Sequence, residues 1–191
     1  MVAVEAELKA LARDPERIHA ALSQRAVGER LIYSDRYFDY PDRGWTRRGN
    51  ELRVRTVTSE LGPTQALLTF KEPAVDEASG SKPEHETAVG DADVLVTVLT
   101  ALGVEQIIAF KKRCVNYRFT AQGRDLVATV VTVPELAGQT FIELETLADP
   151  GDVDAAVDLV RSVLRELGIE DSDLTTQAYT DAVAARRGAA Q

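Results

Sequence analysis

The strongest constraint in this chain is a period-two alternation that puts like charges on one side of a run and aliphatic side chains on the other. Val4, Ala6 and Leu8 alternate with Glu5, Glu7 and Lys9; Leu52 and Val54 alternate with Arg53 and Arg55; Leu68 and Phe70 alternate with Thr69 and Lys71. Glu84 and Glu86 flank His85, Lys111 and Arg113 share a parity, and Glu143 and Glu145 stand opposite Ile142 and Leu144. Residues two apart on a strand point the same way, so each pair is aimed together. One such pair alone is the ordinary solvated face of a half-exposed sheet. The set argues otherwise, because like charges held roughly 7 Å apart repel unless something of opposite sign lies between them. Paired bases suit phosphate oxygens, which Arg grips bidentately. Paired acids suit a hard divalent cation such as Mg²⁺ or Mn²⁺. Both kinds in one chain suit a metal–polyphosphate complex.

The alternation predicts strands near residues 4–9, 31–40, 51–58, 65–71, 84–89, 107–120, 125–133 and 140–146. Asp14-Pro15-Glu16 predicts a helix start, with the helix running to about residue 25. Asp91 caps a second helix that ends at Gly103, residues 152–167 form an amphipathic third closed by Gly168, and 174–185 form a fourth. A polar loop spans 72–83. The expected fold is α+β: an eight-stranded antiparallel sheet that closes into a barrel with a charged lumen, flanked by helices. Aliphatic faces would then pack outward, an inversion that requires a ligand, metal or water inside. Residues 1–185 read as one domain, and 186–191 as a frayed, disordered tail.

Net charge is −9, with 45% hydrophobic and 28% charged residues, ordinary for a soluble protein. Such a balance disfavours a broad nucleic-acid surface, which needs a basic field, but leaves room for a local cationic pocket. Cys114 is the one cysteine and reads as a structural thiol in a reducing compartment. The opening MVAVEAELKA lacks the apolar core of a signal peptide, and no apolar run nears the roughly 18 residues of a membrane span. A cytoplasmic protein without membrane partners is expected. His19 belongs to a helix surface and His85 should face outward. Trp45 lies in RGWTRRGN, either a packed loop or a lid in which Arg47 and Arg48 meet an anion. Tyr37 and Asp39 either line the lumen or close the sheet.

Glu5-Ala6-Glu7-Leu8-Lys9, followed in order by Arg53/Arg55, Thr69/Lys71, Glu84/Glu86, Lys111/Arg113 and Glu143/Glu145, resembles CYTH-domain proteins, the triphosphate tunnel metalloenzymes. The resemblance runs from Glu5 to about Tyr179 and implies an eight-stranded tunnel that hydrolyses or cyclises triphosphates with Mg²⁺ or Mn²⁺. It implies a phosphate clamp of Lys9, Arg53, Arg55, Lys71, Lys111 and Arg113. Glu5, Glu7, Glu143 and Glu145 become metal ligands, and Lys9, Arg55 and Glu86 catalytic residues. Thr176-Gln177-Ala178-Tyr179 is similar to the C-terminal segment of the cyclase-like branch, with Tyr179 shaping the tunnel mouth. The expected partner is a small-molecule triphosphate, with a homodimer possible. The family's further acidic ligand is missing: the aligned position reads Val131.

Overall fold

The computed structural model describes residues 3–59, 62–76, 79–136 and 138–189. Eight strands form one closed antiparallel barrel: β1 (Val4–Leu11), β2 (Glu29–Asp39), β3 (Glu51–Ser59), β4 (Gln65–Lys71), β5 (Lys82–Val89), β6 (Glu105–Ala121), β7 (Arg124–Thr132) and β8 (Thr140–Ala148). They run around the barrel in the order β1-β5-β4-β3-β2-β6-β7-β8. The expected α+β barrel is what the chain adopts.

Closure is uneven. β1 pairs with β8 along its whole length, from Val4↔Ala148 to Leu11↔Phe141, but meets β5 only at Val4↔Pro83 and Glu5↔Lys82. Farther along the same edge, β1 is met by the C-terminal segment at Lys9 and Ala10, through the bridge Ala10↔Leu174 and the bond from Thr175 N to Lys9 O.

Four helices flank the barrel: α1 (Pro15–Ser23), α2 (Ala92–Ala101), α3 (Val153–Glu166) and α4 (Tyr179–Gly188). Asp14 caps α1 by accepting from Arg17 N at 3.0 Å, and Asp91 caps α2 by accepting from Asp93 N and Val94 N. On α3, Val153, Ala156, Val157, Val160, Val163 and Leu164 recur at helical spacing and are buried.

The main core lies outside the barrel wall. Ala6, Leu8, Ala128, Ile142 and Leu144 from the outer strand faces join α3 and the α1 residues Ile18 and Leu22. Fully burying such a side chain contributes about 1.5–3 kcal/mol, so the outer face supplies the stability that a charged lumen withholds. A second cluster under α2 joins Phe38, Leu52 and Val54 to Leu99 and Val104. Among the described residues, no helix is long and apolar enough to cross a membrane.

Two expectations about the C-terminus need correction. The fourth helix begins at Tyr179, not 174, because Leu174 and Thr175 are engaged by β1. Residues 186–188 are helical rather than frayed, and Arg187 donates to the Ala109 carbonyl and to Glu135. The last two residues of that tail, like Glu77 and Ala78 of the polar loop, lie outside the described residues.

Candidate functional site

Alternation carries the charges inward. The lumen is a cavity of about 740 Å³, lined by Glu5, Glu7, Lys9, Arg53, Arg55, Lys71, Glu84, Glu86, Glu143 and Glu145, along with residues that the parity of the charged pairs did not single out. Register sets the acids face to face: Glu7 pairs with Glu145 and Lys9 with Glu143 across β1 and β8. Glu5, Glu7 and Glu145 each offer a carboxylate oxygen within 4.8 Å of the others.

That crowding shows in the ionisation of the group. Burial, then the Glu143 and Glu5 carboxylates, push Glu7 up to about 7. Burial together with Glu5 and Glu7 drives Glu145 well above the usual carboxylate range. Burial opposes ionisation of Glu5 too, but the Lys71 ammonium and hydrogen bonds with Glu84 and Glu145 together outweigh it and hold that carboxyl at about 2. Three all-oxygen donors that resist sharing their negative charge fit a hard divalent cation, which would relieve the repulsion.

The opposite wall is cationic and internally paired. Arg55 donates from Nε and Nη2 to Asp35 at 2.6 and 2.8 Å, a bidentate fork, and its guanidinium lies 4.3 Å from the Tyr33 ring centroid. Asp35 is 1% exposed; burial would favour its neutral form, but Arg55 holds it far below the usual range. Lys71 ion-pairs with Glu5 and, at 2.7 Å, with Glu84. Arg53 donates to Thr69 Oγ1 at 3.3 Å and stands 3.9 Å from Glu84 and 4.0 Å from Glu86, while its buried Nε has no partner among the described residues. A buried cationic N–H without an acceptor suits an anionic oxygen from a ligand. Glu86, at the rim, accepts from Thr69 Oγ1 at 2.9 Å and so steadies Arg53.

Lys111 and Arg113 do not enter the lumen. Both are exposed on the outer face, and Lys112 between them points inward, 4% exposed, 3.9 Å from Asp35 and 4.0 Å from Glu143. Three consecutive cations carry no parity, so only the register with β2, Tyr33↔Lys112 and Asp35↔Phe110, decides which is inside. Asp35 was also missed. Its signal lay in Tyr33, Asp35 and Tyr37 sharing one parity of β2, a polar set on a strand whose other parity holds Ile32 and Phe38.

Lys9 donates to the Gln177 carbonyl, and Tyr179 stands beside it, its ring centroid 4.5 Å from Lys9 Nζ and 4.2 Å from Lys112 Nζ. Burial depresses the Lys9 ammonium, although Glu143 and Glu7 oppose this. Val131, wholly buried, packs with Cys114, Phe141 and Tyr179 in an apolar plug. The β7 residue opposite Glu143 is Thr129.

The remaining residues are structural. His85 is outward and bonded to Glu72 at 2.7 Å, and His19 bonds Tyr117 Oη at 2.8 Å. Tyr37 lines the lumen, whereas Asp39 anchors the loop by accepting from the backbone N–H groups of Tyr40, Trp45 and Thr46. Trp45 packs on Tyr40 and Phe70, and Arg47 is tied to Asp42, so this segment is a packed loop.

Relatives share this architecture. A Pyrococcus horikoshii protein of solved structure is 26% identical, with a TM-score of 0.78 over 96% of this chain and 99% of its own. A Methanocaldococcus jannaschii protein, provisionally named an adenylate cyclase, is 22% identical over 93% of this chain and 97% of its own length. A Hippeastrum protein, provisionally an adenylyl cyclase and described as having a dominant triphosphatase activity, is 15% identical with a TM-score of 0.66, covering 96% of this chain and 95% of its own. The CYTH domain family model matches residues 3–179. A charge-lined closed barrel and a match over nearly the whole chain agree: this protein belongs to the CYTH domain family.

Proposed function

We propose that the chain is a divalent-cation-dependent enzyme acting on a triphosphate, in the manner of class IV adenylyl cyclases, converting ATP to cyclic AMP and pyrophosphate. The observation that carries this reading is the meeting, inside one cavity, of Lys9, Arg53, Arg55, Lys71 and Lys112 with the Glu5–Glu7–Glu145 group. Phosphoryl chemistry is mostly positioning and charge neutralisation, and a fixed cationic wall supplies both. Arg53, whose Nε–H has no partner among the described residues, and Arg55, held by Asp35, orient phosphate oxygens; Lys71, Lys112 and Lys9 neutralise the remainder. Glu5, Glu7 and Glu145 would hold Mg²⁺ or Mn²⁺, which when bound supplies Lewis-acid stabilisation of charge on the phosphates. In the cyclase reaction the ribose 3′-hydroxyl attacks the α-phosphorus, its proton passes to water, and the bond from the α-phosphorus to the oxygen bridging it to the β-phosphate breaks to release pyrophosphate.

The same tunnel could direct water at the terminal phosphate, giving a triphosphatase on tripolyphosphate, thiamine triphosphate or a nucleoside triphosphate. A non-catalytic nucleotide- or polyphosphate-binding module is favoured by one observation: neither Thr129 nor Val131 provides an acid on the strand beside Glu143. Incubation of the protein with Mg²⁺ or Mn²⁺ and ATP, tripolyphosphate or thiamine triphosphate separates the three. Cyclic AMP supports the cyclase, orthophosphate the triphosphatase, and tight binding of all three without turnover sinks the enzyme.

A further inference from the structure

Part of the lumen is aliphatic. Leu31, Val57, Leu67 and Val127 line the same cavity as the charges. Between them stand Tyr33, paired with Val57, and Asn116, paired with Thr129. Asn116 is 3% exposed and donates from Nδ2 to Tyr33 Oη at 2.7 Å, while its Oδ1 has no partner among the described residues. The Tyr33 ring lies against the Arg55 guanidinium, so this polar pair sits at the seam between the cationic wall and the aliphatic patch.

Inorganic polyphosphate has no use for such a surface. Its oxygens only accept, and aliphatic lining left to water costs about 25 cal/mol per Å². A buried carboxamide oxygen without a donor is a costly feature unless a ligand satisfies it. The terminal torsion of Asn is soft, so a small turn brings the amide to bear on a group in the cavity. We propose that Asn116 and Tyr33 are specificity residues that read the organic end of the substrate: a flat heteroaromatic group bearing an N–H, such as a nucleoside base, seated on Leu31, Val57, Leu67 and Val127. This rests on the reading of the tunnel as a triphosphate site and narrows it to organic triphosphates.

The test measures binding of bis(methylene) analogues of ATP and of tripolyphosphate, whose phosphate bridges cannot break, by calorimetry with Mg²⁺ present. Wild type should bind the nucleotide analogue at least about tenfold more tightly, the worth of one well-made buried hydrogen bond. Asn116→Leu should abolish that preference and leave affinity for the tripolyphosphate analogue unchanged; Tyr33→Phe, which keeps the ring under Arg55, should reduce the preference. Arg53→Ala should weaken both ligands. Equal affinity of the two analogues in wild type, or a preference untouched by both Asn116→Leu and Tyr33→Phe, overturns the assignment while the triphosphate site stands. Binding of neither analogue overturns the triphosphate reading itself.

Discussion

The two walls of the lumen are built from the same alternating strands yet reach opposite electrostatic states. On the β2–β3 wall each cation meets an acid: Arg55 grips Asp35, and Asp35 stays ionised despite full burial. On the β1–β8 wall Glu7 and Glu145 face each other with Glu5 nearby, and both are pushed towards their neutral forms. One wall is paired internally, save for the Arg53 Nε; the other crowds carboxylates that repel one another. Removing an acid from each wall should therefore move stability in opposite directions.

The largest effect should come from adding a charge where neither wall continues. Val131→Asp places a carboxylate in the apolar plug of Cys114, Phe141 and Tyr179 and should cost more than about 4 kcal/mol in denaturant unfolding. Thr129→Asp, opposite Glu143, should instead remain folded and enlarge the rise in melting temperature caused by Mn²⁺. Next, Asp35→Ala strands the buried Arg55 and should destabilise by about 3–5 kcal/mol in the same assay. Glu7→Gln should do the reverse and stabilise the metal-free protein by about 1–3 kcal/mol at pH 8. The sign follows from Glu7 holding its proton up to about pH 7, above its ordinary value of 4.5. Its penalty is absent at low pH, grows from about pH 4.5 to 7 and is complete above, so the gain should vanish near pH 4.5. The contrast between the walls breaks if Asp35→Ala and Glu7→Gln shift stability in the same direction. The smallest effect belongs to Lys111→Met and Arg113→Met on the outer face, each within about 0.5 kcal/mol and without change in tripolyphosphate affinity. Lys112→Met should weaken that affinity about tenfold or more, as measured by calorimetry.

Parity is what made the barrel legible. Where two like charges bracket an aliphatic residue on a strand, as at Glu5-Ala6-Glu7, Arg53-Val54-Arg55 or Glu143-Leu144-Glu145, one face is unambiguous and the structure turns it inward. Where Lys111-Lys112-Arg113 charges both faces, local sequence carries no orientation, and long-range pairing with β2 decides. Asp35 escaped notice for a related reason: its partner Arg55 is distant in sequence, and only cross-strand register joins them. The start of α4 was misplaced because the edge of β1, itself left unpaired by the short contact with β5, draws residues 174–175 into extended structure. Competition from a distant strand leaves no periodic trace.

That same C-terminal segment has a consequence for folding. Lys9 is fastened at its backbone to Thr175 and at its side chain to the Gln177 carbonyl beside Tyr179. A chain can pair every strand through β8 and still lack the residues that meet the other edge of β1 and position the Lys9 ammonium. The tunnel is thus finished by a contact between residues 168 apart in the chain, a non-local closure of the kind that slows folding. Incomplete chains ending before Leu174 carry the charged lining without the fastening, and so without the finished site.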